Sequence, residues 1–396
     1  MTPRSALFIT PRWTRDGGVG AHVQTSAAAL ARTGVAVAVV AAKADDGDIP
    51  DGVQLFESPQ LFDAAAPLAE RLGDAPFTET ELVHLHQVDD PGLVDALRPA
   101  APVVISAHGF TACTSGVYYF EPGRECVRGH GAGCVPNLMF RGCAHTDYPK
   151  TLPRKYVNAS RGQRALRHAD IAISYGTAVD RHLAANGIAE RAIVPYFPTM
   201  PPRPATGHEQ RRRAVFAGRV VRTKGVDVLL RAFAEVEGGV EVCGDGRDLE
   251  AMRKLARELG LQARATFTGW LGPDDLAVAL GEASVVVMPS LWPEPFGLVG
   301  IEAFAAGRPA IASATGGIPD WLDDGVSGLA VAPGDVAALA AALRALLDDP
   351  ARQAEMGAAG KAAVAARFSP ERHVEALLDA YGRARAGWER RRARAA

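Results

Sequence analysis

The sequence predicts an α/β protein of two doubly wound, Rossmann-like domains that face each other across a cleft. The chain has 396 residues, 48% of them hydrophobic, whereas a single core stops growing at about 250 to 300 residues. Short apolar runs alternate with longer segments of helical periodicity, as in parallel sheets covered on both faces. The stretch PYFPTMPPRPATG at 195–207 carries five prolines, which suits a linker. We therefore place the domains at 1–200 and 208–368.

Six buried strands are predicted in the first domain. Their apolar runs lie at 6–10, 35–42, 82–86, 102–108, 170–174 and 192–196. Helical periodicity at 20–33, 155–168 and 177–187 separates several of these runs, as parallel strands joined by crossover helices require.

A second series of the same kind follows the linker. Its predicted strands lie at 214–219, 240–246, 265–270, 284–290, 309–314 and 328–333, and its helices at 225–236, 248–260, 274–282, 297–306 and 335–347. Further helical patterns cover 351–366 and 369–390. We expect the helix in 369–396 to pack back on the N-terminal domain. Because open α/β sheets bind ligands at the carboxyl ends of their strands, the active site is expected between the domains.

Charge and hydropathy exclude some partners. A net charge of -2 offers no overall attraction to nucleic acid, so none is expected as a partner. The apolar stretch in MTPRSALFIT is too short for a secretory signal, which predicts a cytoplasmic protein. The basic residues at 154–167 and the C-terminal arginines suit either a solvated face or peripheral contact with anionic lipid at the inner face of the membrane.

Two loops contain residues suited to binding a phosphate. After the first strand, Gly17, Gly18 and Gly20 open a helix whose free amides favour an anion, although the same glycines also suit a plain tight turn. In the second domain Arg219 follows a strand and Lys224 precedes a helix. These cations could clamp a diphosphate, and the alternative is two solvated surface charges.

The segment EPFGLVGIE at 294–302 places two glutamates among apolar residues, where an unpaired charge is costly. Pro293 and Pro295 hold Glu294 in extended backbone, so the following helix is predicted to start at about Pro295 or Phe296. Its unpaired first-turn amides come from Phe296, Gly297 and Leu298. Ionised carboxylates accept hydrogen bonds, so one glutamate suits the hydroxyls of a hexose and the other suits those of a ribose. The alternative is a capping carboxylate plus a surface glutamate.

The segment EPFGLVGIEAFAAGRPAIASATGGIPD resembles the Ex7E region of the retaining glycosyltransferases of family 4, which have the GT-B fold. GGVGAHV, VHLHQ, ISAHG, FAGRVVRTKG, VCGDGRDLE and FTGWL fall in the order found in that family. The resemblance covers nearly the whole chain. It implies that Glu294 holds the donor sugar, that Glu302 binds the ribose, and that His108 contacts the donor sugar near the reacting centre. It also implies a set of donor-binding residues, which comprises Gly17, Gly18, Gly20, Arg219, Lys224, Gly244, Trp270, Phe296, Gly297 and Leu298.

The implied activity is transfer of a hexosyl group from a nucleoside diphosphate sugar to an acceptor hydroxyl, with retention of configuration. The acceptor oxygen attacks on the face of the leaving phosphate, and the catalytic residues are His108, Arg219, Lys224 and Glu294. Cations at the diphosphate stabilise the leaving group, so no metal cofactor is expected for catalysis. The acceptor is a glycan, a lipid-linked molecule or a small natural product. Alternatives are a nucleotide-sugar 2-epimerase and a non-catalytic nucleotide-sugar-binding subunit.

The acceptor side is expected in the first domain. His84 and His86 alternate on one strand and suit either acceptor contacts or a satisfied core pair, while Tyr118 and Tyr119 suit ring stacking or packing. Tyr118 and Tyr119 belong to a long loop, 110–155, that also contains Cys113, Cys126, Cys134 and Cys143. The spacing lacks any CxxC pair, and it fits free thiols, a disulfide or a structural zinc site.

Overall fold

The computed structural model describes most of the chain. The described residues are 2–45, 49–63, 66–67, 70–71, 80–113, 125–140, 143, 152–203 and 212–395. They divide into two compact units: the first comprises Met1–Phe120, Cys126–Tyr196 and Pro370–Ala396, and the second comprises Glu121–Glu125 and Phe197–Ser369.

The first unit is built on a parallel sheet of seven strands in the order β3-β2-β1-β4-β5-β6-β7. Its strands are β1 (Ser5–Trp13), β2 (Ala36–Ala44), β3 (Val53–Glu57), β4 (Val83–His86), β5 (Val103–Ala107), β6 (Ile171–Ser174) and β7 (Arg191–Ile193). The chain winds outward in both directions from β1 and β4. The loops after these two strands therefore meet at the switch point, where such sheets bind ligands.

Helices of the first unit are described within the parts of the chain that the structure covers. They are α1 (Gly18–Ala31), α2 (Pro91–Leu97), α3 (Cys134–Phe140), α4 (Leu152–His168), α5 (Thr177–Ala185) and the C-terminal α12 (Pro370–Ala395). The long α12 is held by side chains that bond to this unit: the Tyr381 hydroxyl lies 2.8 Å from His84 Nδ1, and Trp388 Nε1 donates to the Arg98 carbonyl at 2.6 Å.

The second unit repeats the plan with a parallel sheet of six strands in the order β10-β9-β8-β11-β12-β13. The strands are β8 (Arg213–Ala217), β9 (Gly239–Cys243), β10 (Ala265–Gly269), β11 (Val285–Met288), β12 (Ala310–Ser313) and β13 (Gly328–Val331). Along β11, Val285 and Val287 join the core on one face, whereas Val286 joins the core on the other. This alternation shows why the strand is apolar at every position.

Helices cover both faces of the second sheet. They are α6 (Val226–Phe233), α7 (Leu249–Glu258), α8 (Pro273–Gly281), α9 (Leu298–Ala305), α10 (Val336–Leu347) and α11 (Pro350–Arg367). Asp335 caps α10 by accepting from the Ala338 amide, and Asp349 caps α11 by accepting from the Arg352 amide, both at 2.9 Å. These caps satisfy amides that lack acceptors inside their helices.

The predicted fold class, two Rossmann-like α/β domains, is confirmed. Three elements were not predicted: the strand β3 and the short helices α2 and α3. The edge strand β3 reads VQLFE and is mostly open to solvent, so it lacks the continuous apolar run of the other strands. Helix α2 has only seven residues, and Asp90 caps it by accepting from the Gly92 amide.

Candidate functional site

The switch point of the second unit brings together the loops after β8 and β11. Gly225, at φ 68°, lies so close to the other loop that a Cβ would stand 2.0 Å from the Pro289 carbonyl oxygen. Only glycine permits this approach at this backbone conformation. The loops that contain Lys224 and Glu294 are therefore held against each other.

Glu294 is fixed first through its backbone. It forms a parallel bridge with Gly316, and the Gly317 amide donates to the Glu294 carbonyl at 2.7 Å. Gly316 has φ 65°, and a Cβ there would lie 2.2 Å from the Glu294 carbonyl oxygen. The Gly-Gly turn after β12 is thus the support on which the glutamate rests.

The Glu294 carboxylate is buried, with 3% of the residue exposed. Lys224 Nζ donates to both of its oxygens, at 2.7 Å to Oε1 and 2.9 Å to Oε2. Oε1 also accepts from the Ser290 hydroxyl and from Trp292 Nε1. Oε1 therefore takes three hydrogen bonds and Oε2 takes one, which leaves Oε2 with the greater capacity for a further donor.

Lys224 is expected from the sequence to be available to a diphosphate, but in the structure its ammonium already has a carboxylate partner. Its ammonium pairs with Glu294 and stands 5.5 Å from the centre of the Trp292 ring. The reason is electrostatic, since a buried carboxylate needs a partner. Two of the three ammonium donors are used in this way, and the third is left for another acceptor.

Helix α9 begins at Leu298, later than the predicted start at Pro295 or Phe296. Gly297 adopts a left-handed conformation, φ 95°, which a right-handed helix cannot include. Phe296 thus lies before the helix. Its side chain is buried, and its carbonyl accepts from Trp321 Nε1 at 2.8 Å. The Gly300 amide donates to the Gly297 carbonyl at 2.9 Å, whereas the amides of Leu298 and Val299 have no acceptor inside the helix.

Glu302 lies on α9 and is also buried. The Thr199 hydroxyl donates to its Oε1 at 2.8 Å. Burial raises the pKa of the Glu302 carboxyl, and hydrogen bonds from Thr199 partly oppose that shift. The surface-glutamate alternative is thus excluded for Glu302, because its side chain is enclosed.

Three further residues that were predicted to bind the sugar donor lie around the same sheet. Arg219 follows β8 with its side chain exposed, and no carboxylate partner for it is recorded among the described residues. Gly244 has φ 152°, and a Cβ there would stand 1.8 Å from the Gly218 carbonyl oxygen, so this glycine is required for backbone packing. Trp270, just after β10, is 52% exposed.

In the first unit, the predicted glycines form the start of α1. Gly17 is the N-cap residue with φ 79°, Gly18 is the first helical residue, and both are exposed. A Cβ at Gly20 would lie 2.6 Å from the Thr14 carbonyl oxygen. Gly20 is therefore needed for a close turn, as the alternative interpretation of this motif holds.

His108, just after β5, has both ring nitrogens bonded within the first unit. Nε2 lies 3.1 Å from His86 Nδ1, and Nδ1 lies 2.9 Å from the Tyr196 hydroxyl. Burial lowers the pKa of His108 to about 3, so the ring is neutral at pH 7. A ligand could bond to a ring nitrogen of His108 only by displacing one of these partners.

His84 and His86 share a face, with ring centres 4.0 Å apart, and both are buried. His84 bonds to Tyr381 through Nδ1 and to Ser106 through Nε2, which leaves no ring nitrogen for an acceptor. This is the satisfied-core alternative. His86 is also buried in the core, although its Nε2 makes no hydrogen bond to the described residues. Tyr118 and Tyr119 lie outside the described residues.

The four loop cysteines are half-buried, and none of them forms a disulfide. Within the described part of the chain, no three His, Cys, Asp or Glu side chains are already arranged to hold a metal ion. In the same part, no helix is long and apolar enough to cross a bilayer.

Sequence reasoning missed several residues that shape the site. They are Ser290 and Trp292 beside Glu294, Thr199 beside Glu302, Gly316 behind Glu294, and Tyr196 beside His108. Ser290 and Trp292 stand within four residues of Glu294, so their proximity in sequence was the available signal. Thr199 lies in the stretch interpreted as a linker, and no sequence pattern around it predicts its hydrogen bond to Glu302.

The comparisons with known proteins agree with this architecture. Residues 203–363 match the family model described as Glycosyl transferases group 1. The D-inositol 3-phosphate glycosyltransferase of Streptomyces avermitilis is 34% identical over 255 residues, an alignment that covers 60% of this chain and 50% of that protein. The chain thus spans about half the length of this relative.

Two solved structures match nearly the full length. Sucrose-phosphate synthase from Thermosynechococcus elongatus has a TM-score of 0.70 at 23% identity, over 96% of this chain and 98% of that one. Anabaena HepE in complex with UDP-glucose has a TM-score of 0.67 at 19% identity, over 95% and 98%. At such identities the likeness shows the fold alone.

Proposed function

We propose that the protein is a retaining glycosyltransferase, which transfers a hexosyl group from a nucleoside diphosphate sugar to an acceptor hydroxyl. The observation that carries the proposal is the buried Glu294 carboxylate at the switch point of the second unit, paired with Lys224. The match of residues 203–363 to group 1 glycosyl transferases supports it.

Glu294 is suited to hold the donor sugar. Its Oε1 is saturated by Lys224, Ser290 and Trp292, so Oε2 is the oxygen that accepts from a sugar hydroxyl. The three fixed donors also set the direction of the carboxylate before any sugar binds. Such preorganisation reduces the cost of ordering on binding.

The leaving diphosphate would be stabilised by groups in the loops that follow β8 and β11. These are the exposed Arg219 guanidinium, the third N–H of Lys224 and the first-turn amides of Leu298 and Val299 in α9. Each of them favours negative charge as the bond to the anomeric carbon breaks. Glu302 is proposed to accept from the ribose, which requires its carboxyl oxygens to serve both Thr199 and the ligand.

Transfer is proposed to occur on one face of the sugar. The acceptor oxygen bonds to the anomeric carbon as the bond from that carbon to the diphosphate oxygen breaks, and the acceptor proton passes to the leaving phosphate. His108 is proposed to contact the donor sugar. It would do so by releasing either His86 or Tyr196.

The test is an assay of uridine, guanosine and adenosine diphosphate hexoses with a panel of acceptors. HepE was solved with UDP-glucose, so this donor is tried first. The relatives named for D-inositol 3-phosphate suggest inositol phosphates, beside glycans, lipid-linked acceptors and small natural products. Product NMR should show the anomeric configuration of the donor, and the Glu294→Gln variant should lose at least about a hundredfold in rate.

Other outcomes identify the rival functions. Turnover of the donor into its 2-epimer without acceptor would indicate an epimerase. Saturable donor binding without transfer to any acceptor would indicate a non-catalytic subunit, and an inverted product would overturn retention.

Since Arg219, Lys224 and the α9 amides are proposed to carry the diphosphate charge, no metal ion is expected to be required for transfer. Activity should be the same in excess chelator and after addition of Mg²⁺ or Mn²⁺. A rate that falls in chelator and returns with one of these ions would contradict this expectation.

A further inference from the structure

One part of the first unit carries positive charge without any acidic residue. Residues 126–140 and the helix α4 contain lysines and arginines but no aspartate or glutamate, whereas the whole chain has 43 basic and 45 acidic residues. The cations are Arg128, Arg154, Lys155, Arg161, Arg164 and Arg167. Asp90 lies 3.6 Å from the Arg161 guanidinium, but it also pairs with Arg71 at 2.7 Å. The net charge of the chain therefore conceals a local excess of positive charge.

The cations of α4 occupy its outward face. Exposed side chains recur there at intervals of three or four residues and thus share one side of the helix: they are Arg154, Val157, Arg161 and Arg164. The other side packs on the unit, since Ala159 and Leu166 are buried and a Cβ at Gly162 would stand 2.8 Å from Thr111 Cγ2. This packing holds the cationic face toward solvent.

Large apolar side chains are exposed in the stretch that packs against α4. Val127 and Phe140 are 80% and 78% exposed, more than any other large apolar side chain of the described residues. His130 joins this stretch to α4, because its Nε2 lies 2.8 Å from the Ser160 hydroxyl and its ring contacts the Tyr156 ring. The exposed apolar groups and the cationic face thus belong to the same part of the unit.

We propose that residues 126–140 and the outward face of α4 form a docking surface for a membrane that contains anionic phospholipid. Each lysine or arginine close to an anionic bilayer strengthens binding about fivefold, and exposed apolar side chains enter the boundary between headgroups and acyl chains. A simply solvated basic face would explain the cations but not the exposed Val127 and Phe140. A nucleic acid would match the charge through its phosphates and would leave the same two side chains without apolar partners.

The docking surface lies within the first unit and needs no sugar donor. The proposal is therefore independent of the proposed sugar transfer. Binding is measured without donor or acceptor, so failure of one proposal leaves the other standing.

The first experiment is co-sedimentation of the full-length protein with large unilamellar vesicles of phosphatidylcholine, with and without phosphatidylglycerol. The affinity for the anionic vesicles should be at least about tenfold higher than for the neutral ones. It should collapse when the salt concentration rises from about 0.1 M to about 1 M, because the screening length falls from about 10 Å to about 3 Å. Equal affinity for both kinds of vesicle would overturn the proposal.

The double variant Arg154→Gln/Arg164→Gln tests the cationic face and should lower the affinity for anionic vesicles at least about tenfold. Lys254→Gln/Arg257→Gln on α7 is the matched control, because it removes the same charge from exposed side chains of the second unit. Its effect should stay below about twofold, since the attraction falls off within a screening length of the membrane. Thermal unfolding checks that both variants fold. Equal losses in the two would place the membrane contact elsewhere and overturn the assignment of this surface.

Phe140→Ser tests the apolar part and should lower the affinity for anionic vesicles at least about threefold. Val326→Ser is its control, because Val326 is 58% exposed in the second unit, and it should have no effect. Heparin, a polyanion without an apolar phase, separates the two contributions: its binding should weaken in the arginine double variant and stay unchanged in Phe140→Ser. Vesicle binding that is likewise unchanged in Phe140→Ser would show a surface for polyanions in general and overturn the membrane role.

Discussion

The charges of Lys224 and Glu294 compensate each other in an ion pair. The carboxylate is buried, and the lysine side chain is 19% exposed, so each group lies where water provides little compensation. Breaking such a pair leaves an uncompensated charge, whereas removing both charges does not. The two effects can be separated experimentally.

We predict that Lys224→Met lowers the free energy of unfolding by about 3–5 kcal/mol, because Glu294 is then buried without its counter-ion. The double variant Lys224→Met/Glu294→Gln should recover much of this loss. Urea unfolding of the two single variants and the double variant measures the coupling. Lys254→Met is the control: its pair with Glu258 is exposed, so the change should stay within about 0.5 kcal/mol. Additive effects of the two site substitutions would contradict the prediction.

Gly316 supports Glu294 through sterics rather than charge. We predict that Gly316→Ala destabilises the protein by at least about 2 kcal/mol more than Gly325→Ala. Both glycines have positive φ, 65° and 74°, but only at Gly316 would a Cβ meet the backbone of Glu294, whereas Gly325 has open space around it. The comparison cancels the cost of the left-handed conformation. Equal losses in urea unfolding would show that the Glu294 backbone moves aside freely.

At the scale of elements, α12 completes the core of the first unit. His373 Nε2 lies 2.8 Å from the Ser26 hydroxyl on α1, and its Nδ1 bonds to the Pro195 carbonyl. Tyr381 reaches His84 on β4. The last helix therefore satisfies buried polar groups on three separate segments of the first unit, which apolar packing alone would not do.

We predict that Tyr381→Phe lowers the free energy of unfolding by about 1–3 kcal/mol, since His84 Nδ1 then stays buried without a partner. Tyr156→Phe on α4 is the control, because no hydrogen bond of its hydroxyl is recorded among the described residues. Its effect should be within about 0.5 kcal/mol. Amide exchange in β4 should accelerate in the first variant only. Unchanged exchange and stability in Tyr381→Phe would mean that a water replaces the hydroxyl.

Sequence reasoning found the elements whose pattern is local. All four residues of the run VVVM in β11 are buried, and the segment LVGIEAFA of α9 buries Ile301, Ala303 and Phe304, so both elements can be recognised as short apolar segments of the sequence. It located Glu294, Glu302 and Lys224 as candidate residues but missed the pairing of Lys224 with Glu294. That pairing joins two loops 70 residues apart, and only the strand order β8-β11 brings them together.

The predicted start of α9, at Pro295 or Phe296, was wrong by two or three residues for a related reason. Proline favours the first turn of a helix, so the sequence suggests Pro295 or Phe296. The Phe296 carbonyl instead accepts from Trp321, and Gly297 turns the chain. A tertiary contact thus overrides the local preference. The role of Gly316 is likewise set by a backbone contact that no pattern within 294–302 contains.

At the scale of the whole molecule, the two units differ in their titratable groups. Every histidine among the described residues belongs to the first unit, and five of them, His22, His84, His86, His108 and His373, are packed in contact with one another or with the same tyrosines. Burial lowers the pKa of each. In the second unit, burial instead raises the pKa of the Glu302 carboxyl.

These opposite pKa shifts predict that acid destabilises the first unit more than the second. The folded pKa values of His108 and His373 are about 3 and about 4, below the value of about 6.5 in an unfolded chain. The unfolded state therefore binds protons first, and stability that is complete above pH 6.5 is lost as the pH falls below it. For Glu302 the sign is reversed, since a raised folded pKa makes protonation favour the folded state.

Urea unfolding at pH 7.5 and at pH 5.5, with limited proteolysis and mass spectrometry to locate the first cuts, measures this difference. At pH 5.5 the free energy of unfolding should be lower by more than about 1 kcal/mol, because several histidines each contribute up to about 1.4 kcal/mol per pH unit. The first cuts should fall within the segments around β4, α1 and α12. First cuts in the second unit, or equal stability at both pH values, would mean that the histidine cluster admits protons without unfolding.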